Sequence, residues 1–291
     1  MTLPEIPRID AHQHFWRYEP DQYPWIGNHM SVLKRDYLPE DLKPHLDEHH
    51  IRGCIAVQAR QCETETNTLL ALAAKHPWIA GVIGWADVRA NTLLDTLDRW
   101  QDEQRLCGFR HQIQDEADPN AFLVNTAFNK GVAILQARGY LYEILIKSPS
   151  LAPAYDFARR HDRQPLVLDH LGKPDVINGT LAEWAQQLAP LAALPHVYCK
   201  LSGLITEAGW TTWRPDFLLA YLHQALELFG PERVMFGSDW PVCRLAGEYD
   251  HVYTLTQMAI ASLSPSEQAA ILGGNAMRLY DLNLQTKEQA A

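Results

Sequence analysis

Cysteine is scarce and scattered: five in 291 residues, at Cys54, Cys62, Cys107, Cys199 and Cys243. An odd number with no CxxC pair excludes a disulfide framework and a zinc ribbon. No apolar run approaches the roughly 20 residues that span a bilayer. Met1–Glu5 opens without the basic and apolar stretches of a signal peptide. Positive charge is outweighed, with 25 Lys and Arg against 35 Asp and Glu for a net charge of −10. No basic cluster offsets it, so neither nucleic acid nor an anionic membrane is an expected partner. An anionic small substrate stays open, because a local pocket can oppose the global charge. No GxSxG elbow marks a serine hydrolase. The expectation from these absences is a reduced, cytoplasmic protein of ordinary globular composition, 47% hydrophobic and 21% charged.

Against that background, two histidines near one end and an aspartate near the other stand out. Ile9-Asp10-Ala11-His12-Gln13-His14-Phe15 reads as a strand with His12 and His14 two apart, a spacing that puts both imidazoles on one face. Met235-Phe236-Gly237-Ser238-Asp239-Trp240-Pro241 ends another apolar strand with an acid. A barrel is the simple way to bring the first and last strands side by side. Two imidazoles and a carboxylate would then share a pocket, which is hydrolase chemistry.

The intervening chain supplies the barrel. Short apolar runs recur at about 8–15, 52–59, 79–86, 106–113, 141–146, 165–172, 197–204 and 234–241, nearly continuous as in parallel strands buried on both faces. Helical periodicity covers Thr64 to Lys75, Thr92 to Gln104, Pro119 to Arg138, Leu151 to His161, Leu181 to Leu194 and Pro215 to Phe229. Eight such βα units without a linker predict an α/β fold, a (β/α)8 TIM-type barrel forming a single domain over residues 1–291. A doubly wound sheet fits less well, since no Gly-rich phosphate loop follows the first strand. Two segments fall outside the repeat. Residues 16–40, rich in aromatics and proline, predict an insertion loop acting as a lid or specificity element. Residues 265–280 predict a closing helical segment interrupted at Gly273-Gly274.

In such a barrel the site lies at the C-terminal ends of the strands. Nearly every predicted strand end carries polar side chains: His12 and His14; Gln58; Trp85 and Asp87; Arg110, His111 and Gln112; Glu143 and Lys147; Asp169 and His170; Lys200 and Ser202; Ser238 and Asp239. Buried charges and imidazoles need partners, so this concentration favours a site over a core. Each also has a structural reading. Asp239 is placed to cap a helix, Arg110 and Lys200 to neutralise Asp87, Asp169 or Glu143, and Cys243 to be a buried structural thiol rather than a pocket residue.

IDAHQHFW, GFRHQIQDE, LVLDHLGKP, YCKLSGL and MFGSDWPVC together resemble the amidohydrolase superfamily, in its sugar-lactonase branch of L-fuconolactonase-like and related aldonolactonases, relatives of the pyrone-dicarboxylate lactonases. The likeness runs from about residue 8 to residue 281. It implies a lactonase, a carboxylic ester hydrolase opening a sugar lactone to the aldonic acid. His12, His14, His170 and Asp239 are implied as catalytic, and as ligands if one divalent cation, Zn2+, is bound, since imidazole nitrogen and carboxylate suit it. The fourth strand offers Arg110, His111 and Gln112 instead of the lysine that bridges a binuclear centre, so two metals are not expected. Asp239 is the candidate general base, for which a raised pKa would help provided neighbouring cations do not hold it down. The three imidazoles polarise the carbonyl, directly or through the metal. Trp16, Trp25 and Trp240 are expected against the sugar's C–H face, with Arg110, Lys147 and Lys200 on hydroxyls or the carbonyl. An aromatic dicarboxylate lactone would need several clustered arginines, so a neutral sugar lactone is favoured. An amidase or decarboxylase on the same scaffold is the alternative enzyme, and a non-catalytic sugar-binding barrel the alternative outside enzymology. A homo-oligomer stays open.

Overall fold

A computed structural model of the chain describes residues 6–284. Met1–Glu5, where a leader was sought, lies outside them. Eight strands, β1 (Arg8–Gln13), β2 (Ile51–Val57), β3 (Ile79–Gly84), β4 (Leu106–His111), β5 (Leu141–Ile144), β6 (Leu166–Leu168), β7 (Val197–Leu201) and β8 (Val234–Phe236), pair in sequence order. All seven pairings are parallel. The seam between β8 and β1 has no regular ladder. It is joined past the strand ends, where the His14 N–H donates to the Trp240 carbonyl (2.7 Å) and the Asp239 N–H to the His12 carbonyl (2.8 Å). This is the expected (β/α)8 barrel.

The crossovers are α1 (Pro39–Glu48), α2 (Glu63–Lys75), α3 (Leu93–Asp98), the pair α4 (Pro119–Leu123) and α5 (Thr126–Ala137), α6 (Leu151–Ala158), α7 (Leu181–Ala192) and α8 (Pro215–Phe229). After β8 come α9 (Tyr249–Ile260), α10 (Pro265–Ala269) and α11 (Asn275–Leu279), the last two joined by a π-helical turn at Ala270–Gly274. Gly273 and Gly274 close that turn. A side chain on Gly273 would strike the Pro7 carbonyl, since its Cβ would come within 2.0 Å of that oxygen. Among the described residues no helix is long and apolar enough to cross a membrane.

Two apolar layers hold the fold. Alternate strand residues point outward under the helices, among them Cys54, Ala56 and Val82. The others fill the lower barrel: Ile9, Ala11, Ile55, Val57, Ile83, Val167 and Met235, closed from below by Ala276, Tyr280 and Leu282. Strand β1 departs from strict alternation where the site is built. Asp10 pairs with Cys54 and Gln13 with Ala56, three residues of β1 against two of β2. This one-residue bulge lets Ala11 and His12 both face the barrel interior.

Candidate active site

Above the apolar plug the barrel interior turns polar, and its lowest layer is ionic. Lys200 on β7 is fully buried and places Nζ 2.6 Å from Glu143 Oε2 and 3.3 Å from Asp169 Oδ1. The Tyr280 hydroxyl donates to the other Glu143 oxygen (2.6 Å). Arg110 on β4 donates from NH1 to Asp169 Oδ2 (2.8 Å) and from NH2 to the Gln58 carbonyl. Two cations thus face two carboxylates almost entirely out of contact with solvent. Burial would raise the Asp169 carboxyl, but Lys200, His12 and Arg110 hold it well below the usual range.

His12 stands on this layer, its Nδ1 3.3 Å from Asp169 Oδ1 and 3.2 Å from Lys200 Nζ. His14, just beyond β1, turns Nδ1 to the Val57 carbonyl at 2.8 Å. His170 turns Nδ1 to the Ser202 hydroxyl, also at 2.8 Å. With the outer nitrogens engaged, all three Nε2 atoms converge on Asp239 Oδ1, at 3.3 Å from His14, 3.8 Å from His12 and 3.9 Å from His170. His170 (φ 54°) and Asp239 (φ 56°) are both in the left-handed region, which costs non-glycine residues on the order of 1–3 kcal/mol each. Gly203 (φ 65°) gives His170 its room, since a Cβ there would come within 2.5 Å of the His170 ring.

The electrostatics follow from burial. Desolvation, and after it the Lys200 charge, keeps His12 well below the ordinary imidazole value. Burial takes His170 down to about 4 against the pull of Asp239 and Asp169. Burial alone would lift Asp239, but His170, a hydrogen bond from His14, and His12 outweigh it and hold the carboxyl well below its usual range. A raised pKa for Asp239 depends on its neighbours not holding it down, and here they do. Three imidazole lone pairs facing one carboxylate oxygen repel unless a cation or proton lies among them. A tetrahedral divalent ion with bonds near ~2.1 Å spaces its ligand atoms about 3.4 Å apart. The 3.3–3.9 Å separations of the Asp239 oxygen from the imidazoles and the outward Nδ1 partners suit such an ion, and the ligand atoms of His12, His14 and Asp239 lie within 4.8 Å of one another. One contact has to yield to it, the Arg110 NH1 group 3.1 Å from His12 Nε2.

These groups open into a cavity of about 380 Å³, lined by His14, His170, Asp239 and Arg110 and walled by Trp25 and Met30 from the insertion loop, Lys147, Lys173, Glu207 and Trp210. A larger one, about 530 Å³, lies behind Trp16 between the insertion loop and α2 and contains none of the four converging residues. Of the expected substrate contacts, Arg110, Trp25 and Lys147 line the site cavity. Three others do not. Lys200 is sealed beneath the floor by its ion pairs. Trp240, turned away by the left-handed Asp239 before it, packs edge-on to Phe15 and Tyr37. Trp16, past the end of β1 where alternation no longer governs direction, donates Nε1–H to the Arg35 carbonyl (2.9 Å) and lines the other cavity. Cys243 is buried and does not line the site. Sequence reasoning missed Trp210, which stacks on His29 of the insertion loop (5.6 Å, 18°), and the Lys173–Glu207 pair (3.3 Å). All lie in loops, where no periodicity tells a wall residue from a solvated one. The one signal was an unexplained tryptophan in the Ala208-Gly209-Trp210 turn.

Comparison with known proteins adds relatives to this geometry. The family model described as Amidohydrolase matches residues 9–282. The chain is 49% identical to an L-fucono-1,5-lactonase of Burkholderia multivorans over 94% of this chain and 96% of that protein. It is 32% identical to an L-fucono-1,5-lactonase of Burkholderia ambifaria over 98% of this chain and 99% of the other. Among solved structures, an amidohydrolase from Burkholderia multivorans with bound zinc superposes with a TM-score of 0.93 at 48% identity, over 95% of this chain and all of that one.

Proposed function

Since this chain belongs to the amidohydrolase family, we propose that it hydrolyses a sugar lactone of the L-fuconolactone type to the aldonic acid, with Asp239 as the base. The observation that carries this reading is the convergence of three imidazole Nε2 atoms on one Asp239 oxygen inside a sugar-sized cavity. The imidazoles engage Oδ1, which leaves Oδ2 to act on a water. The water oxygen bonds to the lactone carbonyl carbon as its proton passes to Asp239. Collapse of the tetrahedral species breaks the bond to the ring oxygen, which takes that proton back. Arg110, whose Nε is buried without a partner, offers a charged donor to the developing oxyanion. His12, His14, His170 and Asp239 are the residues that would hold one Zn2+, which when bound supplies Lewis acidity to the carbonyl and to water.

Trp25, Trp210 and Met30 present apolar faces to a ring. Lys147 and Lys173 stand at the wall, with Lys173 already paired to Glu207. That leaves no cluster of free cations for two carboxylates, which favours a neutral sugar over an aromatic dicarboxylate. We infer one barrel domain in which the 16–40 insertion roofs the site through Trp25 and Met30. Five unpaired thiols suit the reducing cytoplasm.

Proton release into a pH indicator on mixing with fresh aldonolactones tests the reading. Turnover of a six-carbon L-sugar lactone is expected, and Asp239→Asn should stay folded while losing about 10²–10⁴ in kcat. Near-normal turnover by that variant would remove Asp239 from the base role. Silence of the native protein across the panel with zinc added would shift the reading to an aromatic lactone, an amide or a decarboxylation substrate.

A further inference from the structure

The bulge in β1 and the open seam beside it meet at a single side chain. Asp10 faces away from the barrel interior, fully buried, and its two oxygens accept four hydrogen bonds. Oδ1 takes the backbone N–H of His12 (3.1 Å) and of Ser238 (2.9 Å). Oδ2 takes the hydroxyls of Ser238 (2.6 Å) and of Tyr249 on α9 (3.1 Å). The Ser238 hydroxyl oxygen in turn accepts the Trp240 N–H at 3.0 Å. A regular ladder would give the Ser238 N–H to a strand carbonyl; here the carboxylate takes that place.

The two backbone N–H groups on Oδ1 belong to His12 itself and to the residue before Asp239. His12 reaches the site only because the bulge turns it inward, and Asp239 reaches it only in a left-handed conformation. Both departures cost energy, and both are anchored to the same carboxylate. The seam is also tight, since a Cβ on Gly237 would stand 2.7 Å from His12 Cβ.

We propose that Asp10, with Ser238, is the positioning residue of the active site, a side-chain pin that sets the separation of His12 and Asp239 across the β8–β1 seam. It touches neither substrate nor the converging atoms and acts through the backbone of both. The claim rests on the site assignment given above, so its test reads zinc affinity as well as turnover. Asp10→Asn replaces an acceptor by an amide that opposes two donors with one of its own. Ser238→Ala removes the hydroxyl and keeps the N–H bond.

Lactone kinetics, Zn2+ binding by competition with a chromophoric chelator, and thermal unfolding are measured on both variants at a temperature where each is folded. Expected are a 10–100-fold fall in kcat with KM within about 3-fold, and zinc affinity weakened 10–100-fold. A lower melting temperature with kcat and zinc affinity both within 3-fold of the native protein would overturn the proposal and leave Asp10 a brace of the barrel only. If Asp10→Asn does not fold, Ser238→Ala carries the same two outcomes. If the native protein turns over no lactone, the functional reading fails on its own and the zinc measurement still decides the positioning claim.

Discussion

Lys200 shows how a residue can be prominent in the sequence for one reason and matter for another. A lysine at the end of a barrel strand suggests a hand held out to substrate, yet its ammonium is locked between Glu143 and Asp169 beneath the site. Removing one member of such a buried set leaves an uncompensated charge. Lys200→Met is therefore expected to lower unfolding free energy by about 3–5 kcal/mol, read from urea denaturation. A loss below about 1 kcal/mol would mean that water already screens the layer. The four converging residues were legible because imidazole and carboxylate at strand ends have few other uses. The direction of Trp16 and Trp240 was not, because each follows a backbone irregularity that no spacing rule encodes: the end of β1 and the left-handed Asp239.

Elements were easier to read than side chains, and the misses have physical causes. Each strand begins within one residue of its apolar run but ends two or more residues before it does, because the polar residues that build the site keep a strand-like composition after pairing stops. The helix expected over Pro119 to Arg138 breaks at Val124, and Asn125 caps the second piece by accepting the Phe128 N–H (3.0 Å). Helices α1 and α9 went unread; the first carries Pro44 inside it and opens with acids, which hid its apolar stripe. The junction of β2 and α2 offers a test at this scale. Glu65 reaches back from the first turn of α2 to accept the N–H groups of Ala59 and Arg60, both at 2.8 Å. Burial lifts its carboxyl from 4.5 to about 7. Between those values the unfolded chain has released the proton that the folded one keeps, so this group costs stability as pH rises, by roughly 3 kcal/mol over the window. Glu65→Gln lacks that dependence. Its melting temperature should gain on the native protein between pH 4.5 and 7, and a constant difference across that range would sink the argument.

For the whole molecule, metal binding and folding share one equilibrium. The residues that would hold an ion come from β1 and from the turns after β6 and β8, so an ion held there would stabilise only the closed barrel. Zinc at a hundred times its Kd should add roughly 2.7 kcal/mol, visible as a rise of several degrees in melting temperature. Asp239→Asn should lose most of the rise. No shift in the native protein would count against a metal at this centre. The closure of first strand against last also has a consequence in time. During synthesis the His12 imidazole is made early and its partner Asp239 more than two hundred residues later, on the order of 10–45 s at ribosomal speeds. Until then β1 has no seam to close, and Asp10 lacks its partners Ser238 and Tyr249. The convergence of His12, His14 and His170 on Asp239 therefore cannot exist until the turn after β8 has been made, and the helices that close the barrel from below are made later still.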